Sequence, residues 1–175
     1  DSGSIPVSAD GNWGLGFPSP GQTPVGNASA DTLKNFDAFY VGDTSKPVIY
    51  LTFDAGYENG CTPAILEALK KHHVPATFFV VGNWADQYPE QAKAIVESGN
   101  ELMNHSNAHD HYNSLTADQI IADVNTCNDK IEALTGVRPT LIRCPFGEYD
   151  DHVISAIRSI GMEPIQWDVE RYHIA

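Results

Sequence analysis

The sequence places two histidines, His105 and His109, four positions apart. At this spacing both imidazoles would fall on one side of a helical turn and could bind the same metal ion. Two neutral nitrogen ligands would leave coordination positions open for water and substrate, as a catalytic metal requires. Because Asp110 and His111 follow directly, a solvated His-rich loop is the alternative interpretation.

Two further motifs supply a carboxylate and a guanidinium group. Asp54 follows an apolar run and precedes a glycine, so it could act as a general base, as a metal ligand or as the cap of a turn. Arg143 could hold a carboxylate through two parallel hydrogen bonds, or form an ordinary ion pair. The neighbouring Cys144 is expected to be a packed small residue, because no base is fixed beside it by the sequence.

Alternating strands and helices are predicted from Lys46 onwards, which favours an α/β fold with a parallel sheet. The predicted strands are residues 48–53, 76–81, 100–104, 140–143 and 163–169. The predicted helices are residues 33–39, 63–73, 89–99, 116–134 and 151–160. In such folds chemistry occurs at the carboxyl ends of the strands, which selects Asp54, His105, Arg143 and the Trp167-Asp168 region.

The amino-acid composition limits the classes of partner that the protein is expected to bind. The formal net charge of −13 disfavours nucleic acid and anionic membranes, whereas a neutral or zwitterionic glycan remains suitable. No apolar run is long enough to span a bilayer. Residues 1–45 are predicted to be an irregular arm with Trp13, Leu15 and Phe17 as anchors, and residues 46–175 a catalytic domain. Three cysteines permit one disulfide, but no pairing follows from the sequence.

Taken together, the motifs resemble the polysaccharide deacetylase family, also called carbohydrate esterase family four, from about Val48 to Trp167. The family pattern is Thr-Phe-Asp-Asp-Gly, then His-Ser/Thr-x-x-His, then Arg-x-Pro-x-Gly. Parts of residues 12–43 and the run Tyr57-Glu58-Asn59-Gly60 are similar to a narrower branch, the muramic-lactam de-N-acetylases of sporulating Gram-positive bacteria.

The resemblance implies a deformed (β/α) barrel that hydrolyses N-acetyl groups on cell-wall glycan, with N-acetylmuramic acid of peptidoglycan as the expected sugar. It also implies a divalent metal, usually zinc, on His105 and His109, with Asp54 as the base and Arg143 orienting it. The backbone N–H near Phe146 would stabilise the oxyanion. N-acetylglucosamine in peptidoglycan or chitin, and acetyl esters on xylan, are the alternative substrates. The expected protein is bacterial, monomeric, and secreted or associated with the cell wall.

The sequence departs from the family pattern at three places. The second Asp of the first motif, a metal ligand in the family, is Ala55 here. His173-Ile174 stands where the family has Asp-Trp in its fourth motif. The chain reaches Ala175 without the family's last strand–helix units and their acid histidine, so the expected barrel is incomplete at its C-terminus. A glycan-binding remnant without turnover is therefore the competing interpretation.

Overall fold

A computed structural model of the chain describes residues 15–16, 25–26, 28–43 and 45–167. A short antiparallel pair, β1 (Leu15–Gly16) and β2 (Val25–Gly26), belongs to the arm. The other strands form a five-stranded parallel sheet in sequential order. They are β3 (Thr52–Ala55), β4 (Thr77–Val80), β5 (Glu101–Asn104), β6 (Leu141–Ile142) and β7 (Glu163–Pro164). The predicted α/β fold with a parallel sheet is confirmed.

Helices connect the successive strands, as parallel pairing requires. The helices are α1 (Ala30–Lys34), α2 (Cys61–His72), α3 (Gly82–Gln87), α4 (Pro89–Glu97), α5 (Ala117–Thr135) and α6 (Asp151–Ser159). The longest, α5, begins at the predicted capping box, in which Thr116 and Gln119 bond reciprocally. It ends at Gly136, whose φ of 74° suits glycine.

Two apolar clusters lie against the sheet. One is formed mainly by α5, α6 and the arm, which contributes Leu33 and Phe36. The other is formed by α2, α3 and α4 together with β4 and residues of α5. Residues 28–38 of the arm therefore pack onto the domain. The proposed anchors Trp13 and Phe17 lie outside the described residues.

The first predicted strand, residues 48–53, is wrong for its first four residues. Residues 48–51 precede β3 and are exposed, with Ile49 at 85% and Tyr50 at 79% of their maximal accessible surface. Among the residues that the structure describes, no strand pairs with the outer edge of β3. The apolar run predicts a buried strand, but periodicity alone does not say whether such a run has a partner strand.

Helix boundaries also differ from the prediction. The helix α2 begins at Cys61, so Pro63 lies inside its first turn, where a backbone N–H is not needed. The first helix covers Ala30–Lys34 rather than residues 33–39, because Ser29 caps it by accepting from the Thr32 N–H. The sequence analysis missed α3, which follows β4 directly at Gly82.

Candidate active site

Asp54, His105 and Trp167, three of the residues selected at the strand ends, line one open cleft of about 970 Å³, whereas Arg143 is buried beside it and Asp168 lies outside the described residues. The cleft is at the carboxyl end of the parallel sheet, where α/β folds place their chemistry. Among the residues that line it are Asp54, His105, His109, Phe146 and Trp167. The sequence-selected residues are thus brought together by the fold, although their chemical roles remain predictions.

The carboxylate of Asp54 contacts the guanidinium of Arg143. Arg143 Nη1 donates to Asp54 Oδ1 at 2.7 Å, and the Arg143 side chain is 3% exposed whereas that of Asp54 is 39% exposed. Asp54 is therefore anchored at one oxygen while much of its side chain still faces solvent. This arrangement suits a carboxylate that must reach a water molecule or a substrate.

Of the two interpretations of Arg143, the two-bond fork is not seen, and the contact with Asp54 is an ion pair through a single nitrogen. The second terminal nitrogen, Nη2, donates instead to Thr52 Oγ1 at 2.9 Å and to the Gln166 carbonyl oxygen at 3.0 Å. Nε donates to the Ile165 carbonyl oxygen at 3.4 Å. The guanidinium also lies over the Phe79 ring, with its central carbon 4.3 Å from the ring centroid. Arg143 thus distributes its donors over β3 and the segment after β7.

His105 is held in a defined orientation. Its Nδ1 lies 2.7 Å from the Arg143 carbonyl oxygen, and because a carbonyl can only accept, Nδ1 carries the proton and Nε2 keeps a lone pair. Burial lowers the pKa of His105, and the opposing charge of Asp54 offsets only part of this effect. A neutral imidazole with one free nitrogen is the form that can bind a metal.

His109 lies in a loop, not on a helix, so the helical-turn interpretation is wrong. Ser106 and His109 have positive φ angles of 70° and 62°, and the His109 N–H donates to Ser106 Oγ at 2.8 Å. The two imidazoles are nevertheless adjacent, with ring centroids 5.0 Å apart and planes at 74°. The tight loop brings together the side chains that a helix was expected to align.

Buried hydrogen bonds of Asn104 fix the beginning of this loop. Asn104 is fully buried, and its Oδ1 accepts from the Ser106 N–H at 2.7 Å. Its amide nitrogen donates to the Val124 carbonyl oxygen and to Asn128 Oδ1 on α5. The end of β5 is thereby fixed to α5, which positions the start of the loop.

The side chains in the cleft supply some, but not all, of the ligands that a divalent cation needs. Two neutral imidazoles are ordinary zinc ligands, and the bond from His105 Nδ1–H to a carbonyl is the usual outer support of such a ligand. Within the described residues, no group of three His, Cys, Asp or Glu side chains is placed to hold a metal ion. Ala55, where the family pattern has an Asp, lines the cleft and packs with Phe53 against the α2–α4 cluster.

Phe146 lies beside the histidines with an unusual backbone. Its φ is 59°, and its side chain is 52% exposed. Its ring meets the His109 ring edge-on at 4.5 Å and stacks on the His111 ring at 4.0 Å. His111 in turn forms a pair with Glu148, with Nδ1 2.9 Å from Oε2. The sequence analysis assigned no role to His111 or Glu148.

Asp123 is a second residue that sequence reasoning missed. It lies on α5, and its Oδ2 accepts from the Asn107 N–H at 2.8 Å and from the Tyr112 hydroxyl at 2.6 Å. Tyr112 is 1% exposed, and burial together with the nearby Asp123 charge raises its pKa. No sequence spacing indicates that an Asp in the middle of a helix will bond to the loop that precedes that helix. The sequence therefore gives no indication of the role of Asp123.

The cysteines carry no disulfide: Cys61, Cys127 and Cys144 are all free. Cys144 is fully buried, and burial raises the pKa of its thiol, as expected for a packed residue rather than a nucleophile. Burial likewise raises the pKa of Cys127 to about 12. Cys61 is exposed and lines the cleft. Position 173, in the fourth motif, lies outside the described residues.

The fold and the cleft define an α/β protein with a candidate hydrolytic site at the carboxyl end of its sheet. The family model described as polysaccharide deacetylase matches residues 41–165. The chain is 37% identical over 160 residues to the peptidoglycan-N-acetylmuramic acid deacetylase PdaA of Bacillus subtilis, covering 90% of this chain and 61% of that protein. The chain belongs to the polysaccharide deacetylase family.

Solved structures agree with this assignment. The structure of B. subtilis PdaA, a family 4 carbohydrate esterase, matches with a TM-score of 0.83 at 36% identity, covering 90% of this chain and 68% of that one. BA3943 of Bacillus anthracis, described as a family pseudoenzyme, matches with a TM-score of 0.72 at 35% identity, covering 74% and 46%. A mutant of BA3943 is described as having restored enzymatic activity.

The chain spans about 61% of the length of PdaA. In the described part of the chain, no helix combines the length and the apolar character that crossing a membrane requires.

Proposed function

We propose that the protein removes N-acetyl groups from cell-wall glycan by hydrolysis, with N-acetylmuramic acid of peptidoglycan as its sugar. The observation that supports this most is that Asp54, held by the buried Arg143, lines the same cleft as the paired imidazoles of His105 and His109. PdaA, whose name specifies N-acetylmuramic acid, supports the choice of sugar. A bacterial, secreted or cell-wall-associated monomer is proposed with it.

In this proposal each residue has one task. Asp54 accepts the proton of the attacking water through its exposed carboxylate, and Arg143 orients that carboxylate. The Phe146 N–H donates to the oxygen on which negative charge develops. His105 and His109 would hold a divalent cation, zinc by preference, which would supply Lewis acidity towards the acetamide carbonyl.

The test is Asp54→Asn in the protein as its gene encodes it. The variant keeps the shape but loses the basic oxygen, so acetate release from N-acetylated peptidoglycan at saturating zinc should fall about 10²-fold or more. Zinc binding, followed by calorimetry, should survive, because the two histidines provide it. Glu97→Gln, an exposed carboxylate at the end of α4, is the matched control. A near wild-type rate for Asp54→Asn would remove Asp54 from the mechanism.

The metal site has its own test. His105→Ala and His109→Ala should each abolish tight zinc binding, since one imidazole alone cannot hold the ion. If the double variant binds zinc as tightly as the wild type, the proposed ligands are wrong. Parallel assays on chitin oligomers and acetylxylan decide between muramic acid and the alternative substrates.

A second candidate function is glycan binding without turnover. Ala55, which removes one anionic oxygen from the first motif, is the observation that favours it, and the pseudoenzyme BA3943 supports it. Wild-type protein that binds peptidoglycan but releases no acetate at saturating zinc would favour this candidate over hydrolysis.

A further inference from the structure

The loop between β5 and α5 holds a backbone conformation that needs outside support. Two non-glycine residues, Ser106 and His109, adopt left-handed φ angles within four positions. Such conformations are strained for a residue with a side chain and persist only where the surroundings fix them. The orientation of the His109 imidazole therefore depends on what restrains residues 106–112.

One carboxylate oxygen restrains this loop on both sides of His109. Asp123 Oδ2 accepts from the Asn107 N–H, two residues before His109, and from the Tyr112 hydroxyl, three residues after it. The bond from the Asn107 N–H measures 2.8 Å and the bond from the Tyr112 hydroxyl 2.6 Å, both well within the range of good hydrogen bonds. Asp123 belongs to the long helix α5, so these two bonds fix the loop relative to that helix.

We propose that Asp123 is a positioning residue, whose carboxylate holds residues 107–112 so that the imidazole of His109 stays beside that of His105. The inference rests on the proposed function for the purpose of that placement, the binding of a divalent cation. Asp123 itself lies on the helix behind the loop and acts through the backbone of Asn107 and the hydroxyl of Tyr112.

A purely structural role would give a different pattern of effects. If Asp123 served only to stabilise α5, its replacement would lower the stability of the whole domain and leave the folded loop unchanged. If it positions His109, the folded variant should still have a loosened loop. The amide in Asp123→Asn retains an oxygen that can accept from both donors, so this conservative variant should restore most of the effect.

The experiment measures zinc affinity by calorimetry for Asp123→Ala, Asp123→Asn and Tyr112→Phe. Loss of an outer-shell partner typically weakens metal binding by about 10–100-fold, and Asp123→Ala should fall in this range. Tyr112→Phe, which removes one of the two bonds, should lie between Asp123→Ala and the wild type. Asp129→Ala is the matched control, because Asp129 is also on α5 but bonds to Arg138 instead of the loop.

Amide hydrogen exchange of residues 106–112, measured without metal, gives a readout independent of function. Exchange should accelerate in Asp123→Ala and remain near wild type in Asp123→Asn and Asp129→Ala. Unchanged loop exchange and zinc affinity, with only a lower unfolding temperature, would overturn the proposal. If the wild type binds no zinc, the proposed metal site fails, while faster loop exchange in Asp123→Ala would still support Asp123 as the residue that holds the loop.

Discussion

The Arg143 side chain connects β3, β4 and the segments that follow β6 and β7. It follows β6, bonds to Thr52 and Asp54 on β3, and lies over the Phe79 ring of β4. Its remaining donors bond to carbonyls of the segment after β7. A buried cation is costly unless its donors are satisfied, and here a planar guanidinium meets acceptors in several directions at once. The orientation of Asp54 is thus coupled to the relative placement of the strands.

Arg143→Lys should therefore impair more than the contact with Asp54. A lysine ammonium is a point charge and cannot reach the same set of acceptors, so Thr52 and the two carbonyls lose their partner. We expect kcat for acetate release to fall roughly tenfold or more, since a misplaced base is a loss in the transition state. The control is Arg138→Lys on the surface, which should leave kcat unchanged. Equal kcat for both variants would contradict this prediction.

Ala55→Asp tests the departure from the family pattern. Ala55 ends β3 and lines the cleft, so a carboxylate there could add an anionic oxygen to the two imidazoles. Zinc affinity measured by calorimetry should then increase, whereas Ala55→Asn, which adds similar bulk without charge, should change it little. Because Ala55 also packs against the α2–α4 cluster, unchanged affinity with reduced stability would mean that its side chain faces the helices.

At the residue scale, the strand-end rule identified most of the site from the sequence. Asp54, His105 and Arg143 each lie at the end of a predicted strand, and parallel strands must bring such positions to one edge. The rule could not find Asp123, because its contacts with Asn107 and Tyr112 arise from how α5 packs under the loop. It also could not show that Arg143 uses only one nitrogen on Asp54.

At the scale of elements, prediction succeeded where local chemistry alone decides the structure. The capping box at Thr116 and the stop at Gly136 are properties of a few adjacent residues, and α5 has those ends. It failed for α3, which begins at a glycine without a side-chain cap. It also failed for residues 48–51, because strand formation there depends on a partner that the sequence does not show.

The capping box should contribute measurably to stability, since α5 packs against both apolar clusters. Thr116→Ala removes the side-chain acceptor of the Gln119 N–H and should lower the free energy of unfolding by about 1 kcal/mol in urea. Thr126→Ala is the matched control in the middle of the same helix. Its hydroxyl bonds to the Ala122 carbonyl, and alanine has the higher helix propensity, so stability should stay equal or rise. The same loss in both variants would argue against a capping effect.

At the scale of the whole molecule, a large negative net charge occurs together with an exposed run of apolar side chains. The formal net charge of −13 and pI near 4.7 favour solubility at neutral pH. Residues 48–51 nevertheless expose consecutive apolar side chains next to the outer edge of β3, which has no partner strand among the described residues. An unpaired edge beside an apolar patch is the usual starting point for intermolecular strand pairing.

Ile49→Lys should therefore reduce aggregation of the 175-residue chain on heating without changing its fold. Ile49 is 85% exposed, so the substitution removes little buried surface, and a lysine beside a sheet edge opposes pairing with another chain. The measurement is light scattering during a thermal ramp, with circular dichroism recording the unfolding temperature. Val137→Lys is the matched control, because Val137 is 54% exposed in the loop after α5 and receives the same added charge. The onset of scattering should rise for Ile49→Lys alone; equal shifts in both variants would attribute the effect to net charge and not to the edge of β3.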